Sequence, residues 1–137
     1  MKIGVTDDLD ACMAIRRQVF VEEQAVPEDL ERDEHDATAV HLLATQDGRP
    51  VATARLLIAG DRAKIGRVAV LAELRGTGAG AAVMRAALDE LRLRGVREAA
   101  LGSQVHALGF YEKLGFVAHG PEYDDAGIPH RDMTLQL

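Results

Sequence analysis

Glycine occupies every second position of Gly76-Thr77-Gly78-Ala79-Gly80, between the apolar stretch Val68-Ala69-Val70 and a long amphipathic segment. A strand entering such a turn must reverse tightly and hand over to a helix. Glycines permit backbone conformations that a Cβ obstructs, and they let a ligand approach the main chain closely. The helix that starts there presents unpartnered N–H groups and the positive end of its dipole. Together these features describe a cradle for a pyrophosphate.

Three phosphate ligands compete for such a cradle. A P-loop ends in Gly-Lys-Ser/Thr, whereas this turn ends Gly80-Ala81-Ala82, which excludes the usual nucleoside triphosphatase arrangement. Gly76, Gly78 and Ala81 do fit the dinucleotide pattern, with Glu98 as the ribose-binding acid. That acid falls near the start of its strand rather than the end, and the stretch from Gly78 to Leu137 is too short for both halves of a dinucleotide fold. The third ligand is acetyl-CoA. A tight strand–helix connection that binds nothing is the plain structural alternative.

The flanking elements predict an α/β (α+β) fold with a mixed sheet. Lys2–Thr6 alternates weakly as a strand, and Asp7 or Asp8 can cap a helix reaching about Glu23. Pro27–Asp36 reads as acidic and irregular, with room for one short helical turn. Ala39–Thr45 and Val51–Ile58 read as strands joined by the hairpin signal Asp47-Gly48. Ala63–Val70 is a third strand. Gly78–Arg94 is the strongest helix, with a stripe of Val83, Met84, Ala87, Leu88 and Leu91 ended by Gly95. A strand over Val96–Leu101, a helix over Gln104–Leu114 and strands over Phe116–Ala118 and Arg131–Leu137 complete the reading. No linker or repeat interrupts residues 1–137, so one domain is expected.

A net charge of −6 argues against a nucleic-acid partner. The lone Cys12 forbids an intrachain disulfide and suits a reducing, cytoplasmic setting; it sits among apolar neighbours as a buried thiol. No apolar run suggests a secretory signal or a membrane span. His35, His41 and His119 lack metal-ligand spacing, so no metal is expected.

The run Arg67–Gly80 resembles the acyl-CoA signature of the GNAT N-acetyltransferase superfamily, a strand ending in Ala-Val followed by Arg/Gln-x-x-Gly-x-Gly/Ala. Phe110-Tyr111-Glu112-Lys113-Leu114-Gly115-Phe116 resembles its second signature, Y-x-x-x-G-F. Arg17–Gln24, Ile65–Val68, Gln104-Val105-His106 and Gly127-Ile128-Pro129-His130 are similar to the ElaA/YjcF-like branch. The resemblance implies a GNAT-like acyl-CoA N-acyltransferase fold, with a mostly antiparallel splayed sheet flanked by helices. It also implies acetyl-CoA as cosubstrate but supplies no acceptor; a small-molecule amine is expected from the acidic segment around Glu23. A homodimer is compatible with it, and so is a noncatalytic acyl-CoA-binding or regulatory module on the same fold.

Carried onto this chain, the resemblance assigns the pantetheine arm to the backbone of Val68, Ala69 and Val70. It assigns the pyrophosphate to Gly76, Thr77, Gly78, Ala79, Gly80 and Ala81, with Arg75 adding charge. Gln104 stands where many relatives place an Asn against CoA; helix capping is its alternative role. Tyr111 is the candidate acid for the leaving thiolate, because a free phenol (about 10) stays protonated where a thiol (about 8.5) ionises. As a bare residue, Tyr111 reads first as a packed aromatic beside Phe110; only the signature favours the acid. The base stays open among Glu23, His106, Glu122, His130 and an ordered water. Glu23, Glu122 and His130 are also the residues expected near the acceptor. Glu22–Asp36 holds eight acids against Arg32 alone, either a solvated face or a mouth that attracts cations.

Overall fold

The computed structural model describes Met1–Leu137. Strand β1 (Lys2–Thr6) leads into helix α1 (Leu9–Arg16), and one wider π-helical segment continues it over Arg17–Glu23. Asp8 caps α1 by accepting from the Ala11 N–H at 3.1 Å. Helix α2 (Glu28–Glu31) is the short helical turn expected within Pro27–Asp36, and a 3₁₀ turn (Glu34–Ala37) follows it. The antiparallel meander is β2 (Val40–Gln46), β3 (Arg49–Ala59) and β4 (Arg62–Val70). Asp47 and Gly48 join β2 to β3 with φ of 52° and 78°, the two positive values that a type I′ hairpin turn requires.

Helix α3 (Ala79–Leu93) buries Ala79, Val83, Met84, Ala87, Leu88 and Leu91 against the sheet. Its end is a Schellman motif: the Val96 N–H reaches the Leu91 carbonyl and the Gly95 N–H reaches that of Arg92. Gly95 adopts φ +79°, which explains a glycine at that position.

The last third departs from the sequence reading. Strand β5 (Glu98–Gln104) runs past Leu101 because Ala99, Leu101 and Ser103 alternate inward. The helix expected over Gln104–Leu114 is therefore reduced to a 3₁₀ turn (Val105–Ala107) and helix α4 (Leu108–Glu112). The late segment Pro121–Pro129 belongs to a hairpin of β6 (Val117–Asp125) and β7 (Ile128–Gln136). Glu122 and His130 thus sit on strands rather than beside a loop.

The sheet order is β1-β2-β3-β4-β5-β7-β6. All neighbours are antiparallel except β4 and β5, which pair in parallel only at Arg62↔Glu98, Ala63↔Ala99 and Lys64↔Ala100. Beyond Lys64 the two strands separate. A bulge in β4 accompanies the separation: the register steps from Arg55↔Gly66 to Thr53↔Ala69, and Arg67 takes φ +51°. A left-handed non-glycine residue costs about 1–2 kcal/mol. The Arg67 guanidinium offsets part of that by donating to the Glu31 carbonyl at 3.0 Å and to Asp33 at 3.2 Å.

Those contacts belong to a charge network behind the meander. Arg16, 1% exposed, donates to the Glu31 carboxylate and to both oxygens of Asp36. Arg55, 5% exposed, donates to Asp33 at 2.7 Å and Asp36 at 3.0 Å. Burial alone would raise the Asp36 carboxyl, but hydrogen bonds from Arg16, the Asp33 N–H and Arg55 outweigh it and hold the group well below the usual carboxylate range. The acidic segment is therefore a solvated face only in part: Glu22, Glu23, Glu28, Asp29 and Glu34 stay exposed. Three of its acids fold inward to meet Arg16, Arg55 and Arg67.

Candidate active site

The separation of β4 from β5 opens a cavity of about 300 Å³, lined by Val68 from β4, Leu101 and Gln104 from β5, Tyr111 from α4 and Tyr123 and His130 from the last hairpin. Phe20, Gln24 and Val26, from the end of the π-helical segment and the residues after it, close one side. A second cavity of about 380 Å³ is lined by Val70, Arg75, Gly76, Gly78, Gly80, Ala81 and Phe110. The two lie on either side of the edge-to-face pair Phe110–Tyr111, whose ring centroids are 5.0 Å apart.

The second cavity has the chemistry of an anion cradle. Gly78 stands at the helix N-terminus with φ +88° and no side-chain cap, and the Ala82 N–H is the one that returns to its carbonyl. The N–H groups of Ala79, Gly80 and Ala81 precede that first helical bond and remain for a ligand. A Cβ on Gly76 or Gly78 would project into open space, so these glycines leave room for a ligand rather than for packing. Gly80 is different: a Cβ there would press on the Phe110 ring at 3.4 Å. Thr77 and Ala79 lie outside the lining; the Thr77 hydroxyl donates to the Leu74 carbonyl, and Ala79 is buried toward the core. Ala69 is likewise buried, leaving Val68 and Val70 as the cavity-facing residues of the β4 end.

Tyr111 lies in the wall of the first cavity, also edge-to-face with Phe116 at 6.1 Å. Burial pushes its phenol up to about 12, with no hydrogen bond or charge opposing the shift. Gln104 does not cap the following turn. Its amide donates to the Gln24 side chain at 2.9 Å, and its carbonyl oxygen accepts from His106 Nε2 at 2.6 Å.

Glu23 is not in the cavity lining. Its carboxylate pairs with Arg75 at 2.6 Å, while Arg75 Nε donates to the Val70 carbonyl at 3.1 Å. This places Glu23 beside the glycine turn. Glu122 is exposed on β6 and lines neither cavity, whereas His130 lines the first. The structure thus gathers Val68, Gln104, Tyr111 and His130 and separates Glu23 and Glu122 from them. It adds Arg67, Tyr123 and Asp125 to the lining. Tyr123 and Asp125 share one face of β6, where the exposure of nearly every residue leaves no alternation to read in the sequence. No three His, Cys, Asp or Glu side chains converge as a metal cage, and no helix is long and apolar enough to cross a membrane.

The family description "Acetyltransferase (GNAT) domain" matches residues 5–137. The chain belongs to the GNAT acetyltransferase family. It is an acyltransferase of the ElaA/YjcF-like branch. YjcF of Bacillus subtilis, described as an uncharacterized N-acetyltransferase, is 33% identical over 93% of this chain and 91% of its own length. The crystal structure of Escherichia coli ElaA superposes with a TM-score of 0.86 at 29% identity, covering 97% of each chain. An acyl-CoA N-acyltransferase structure from Pseudomonas aeruginosa superposes with a TM-score of 0.88 at 33% identity, again over 97% of each chain. The mixed seven-stranded sheet is the GNAT fold expected from the signatures.

Proposed function

We propose that this GNAT protein acetylates a small amine with acetyl-CoA, by direct attack while both substrates are bound. The observation that carries the reading is the opening between β4 and β5, paired at only three positions, which leads to a glycine cradle on one side and Tyr111 on the other. The name of the P. aeruginosa relative, an acyl-CoA N-acyltransferase, supports the same donor class.

Acetyl-CoA is consumed in such a reaction, so it is a substrate, and it supplies a carbonyl already activated as a thioester. The N–H groups of Ala79–Ala81 hold the pyrophosphate, with the Arg75 guanidinium nearby. The freed edge of β4 at Val68–Val70 receives the pantetheine amides. Gln104 offers a donor and an acceptor at the mouth, as the Asn of relatives does.

Direct attack fits the nucleophiles this chain possesses. Cys12 is fully buried and its Sγ lies 4.0 Å from the Leu42 carbonyl; burial pushes its thiol up, against the pull of Thr53 and Arg16. A thiol in that position cannot carry an acyl group. Ser103 is also buried, with its hydroxyl on the Gln104 carbonyl.

The raised phenol of Tyr111 shapes its role. With its phenol held up at about 12 by burial, Tyr111 stays protonated and gives up its proton reluctantly. Tyr111 therefore works as a hydrogen-bond donor to the developing thiolate, and its proton moves only as it recovers another from the newly bonded, cationic nitrogen. Burial suits this relay, since it favours the neutral phenol before and after transfer.

Initial-rate kinetics at varied acetyl-CoA and amine test the mechanism. Intersecting double-reciprocal lines are expected; parallel lines would mean a covalent acyl-enzyme and overturn direct attack. Acetyl-CoA binding without turnover on any amine would instead favour a noncatalytic acyl-CoA-binding module.

A further inference from the structure

Resting on the amine-acetyltransferase reading, we infer that His130 is the general base that takes the proton from the acceptor ammonium in the β4–β5 cavity. His130 stands on β7 opposite Gln104 of β5 and lines the same cavity as Tyr111. Its Nδ1 lies 2.7 Å from the Ile128 carbonyl. A carbonyl only accepts, so Nδ1 carries the proton and the neutral ring presents its lone pair at Nε2. Nε2 bonds to no protein group, and it is not among the buried unpartnered atoms, which are His41 Nδ1 and Arg55 Nε.

The ring is also held in place. Tyr123 stacks on it with centroids 5.9 Å apart and planes 25° from parallel. The Tyr123 hydroxyl is tied to Asp132 Oδ1 at 2.8 Å, and it fits over β5 because position 102 is glycine. This chain of contacts fixes where the lone pair points, as a base requires.

The other titratable groups facing the cavity are Glu31 from α2, Lys64 and Arg67 from β4, Tyr111 from α4, and Tyr123 and Asp125 from β6. Asp132 and His106 adjoin it through Tyr123 and Gln104. Glu31 is engaged by Arg16, and Arg67 by the Glu31 carbonyl and Asp33. Burial pushes both phenols up to about 12, that of Tyr123 with Asp132 adding to the shift. His106 and Glu23 do not line the cavity: His106 donates through Nε2 to Gln104, and Glu23 is paired with Arg75. Asp125 is the one competing carboxylate, and it is exposed near the hairpin tip.

In the step, one N–H proton of the ammonium passes to His130 Nε2, leaving a lone pair on nitrogen and an imidazolium on the protein. The lone pair forms the C–N bond at the thioester carbonyl, and the π electrons move to oxygen. Reforming the C=O breaks the C–S bond. The sulfur receives a nitrogen proton by way of Tyr111, and His130 returns its proton to water. The balance is ammonium plus thioester giving amide, thiol and one proton.

The test compares pH profiles of kcat/KM for the parent, His130→Gln and Asp125→Asn, using the fastest of butylamine, benzylamine and cadaverine. Acetyl-CoA affinity is measured alongside by calorimetry. His130→Gln should lower kcat/KM about 10²-fold or more near neutral pH and flatten the acid limb, with acetyl-CoA affinity unchanged. Asp125→Asn should keep the limb. Histidine NMR of the parent provides a readout that needs no variant: His130 should show its proton on Nδ1. Retention of rate and limb in His130→Gln, loss of the limb in Asp125→Asn, or a proton on Nε2 would overturn the inference. Failure of the parent to bind acetyl-CoA would remove the underlying reading instead.

Discussion

Replacing Asp36 by Asn removes one of three anions that balance Arg16, Arg55 and Arg67. The shape is nearly kept, and the loss is one negative charge where Asp36 is 7% exposed, Arg16 1% and Arg55 5%. Arg16 loses a charge-assisted bond of 2.7 Å and Arg55 one of 3.0 Å. Breaking a buried pair from one side costs about 3–5 kcal/mol, because the stranded charge stays desolvated. For a chain of this size each kcal/mol shifts Tm by roughly 3–4 °C, so Asp36→Asn should lower Tm by about 10–20 °C. Adding Arg55→Gln removes the surplus positive charge. The double variant should therefore be less destabilised than the sum of the singles, with a coupling on the order of 1 kcal/mol or more. Urea and thermal unfolding followed by circular dichroism measure all three. A Tm loss under about 3 °C for Asp36→Asn, or strict additivity, would refute the account of segment 28–37 as charge-clamped.

The same carboxyls give an acid signature. Asp33 and Asp36 are held below their ordinary value by their arginines despite burial, so the unfolded chain binds protons first as pH falls. Their contribution is complete above about pH 4 and is lost progressively below it. Urea midpoints should fall through that window, and Asp36→Asn should flatten the fall. Tyr111→Phe should lower kcat about 10²-fold or more with acetyl-CoA affinity little changed; an unchanged kcat with chemistry rate-limiting would make Tyr111 a packing residue. Gly102→Ala puts a Cβ into the Tyr123 hydroxyl, so it should release Tyr123 from Asp132 and raise acceptor KM while leaving acetyl-CoA affinity intact. Steady-state kinetics and calorimetry separate those two effects.

Short-range signals were legible in the sequence. Asp47-Gly48, Gly95 and the stripe of α3 act within one turn or one helix, and each appears as expected. The glycine cradle was readable for the same reason. The charge network was not, because Arg16, Glu31, Asp36, Arg55 and Arg67 meet only through folding. In the linear chain, Glu22–Asp36 looks simply acidic. The sequence signal for β6 stops at Ala118 because nearly all the strand's residues are exposed, which erases the alternation that marks a half-buried strand. The opening between β4 and β5 came from the family resemblance alone; what makes it is a pairing of three residues and a left-handed Arg67, neither encoded in any short motif.

If the glycine cradle and the neighbouring cavity act together, they transfer acetyl groups from CoA to an amine. The most direct measurement is release of free CoA thiol on mixing the parent with acetyl-CoA and an amine panel, with the acetylated amine identified by mass spectrometry. Gly78→Glu serves as the paired variant, since Gly78 has φ +88° and a glutamate there brings bulk and negative charge to the pyrophosphate site. The parent should release thiol in an amine-dependent way, matched by acetylated product, and Gly78→Glu should release none. Equal thiol release by parent and variant, or release that no amine accelerates, would contradict acetyl transfer at this site.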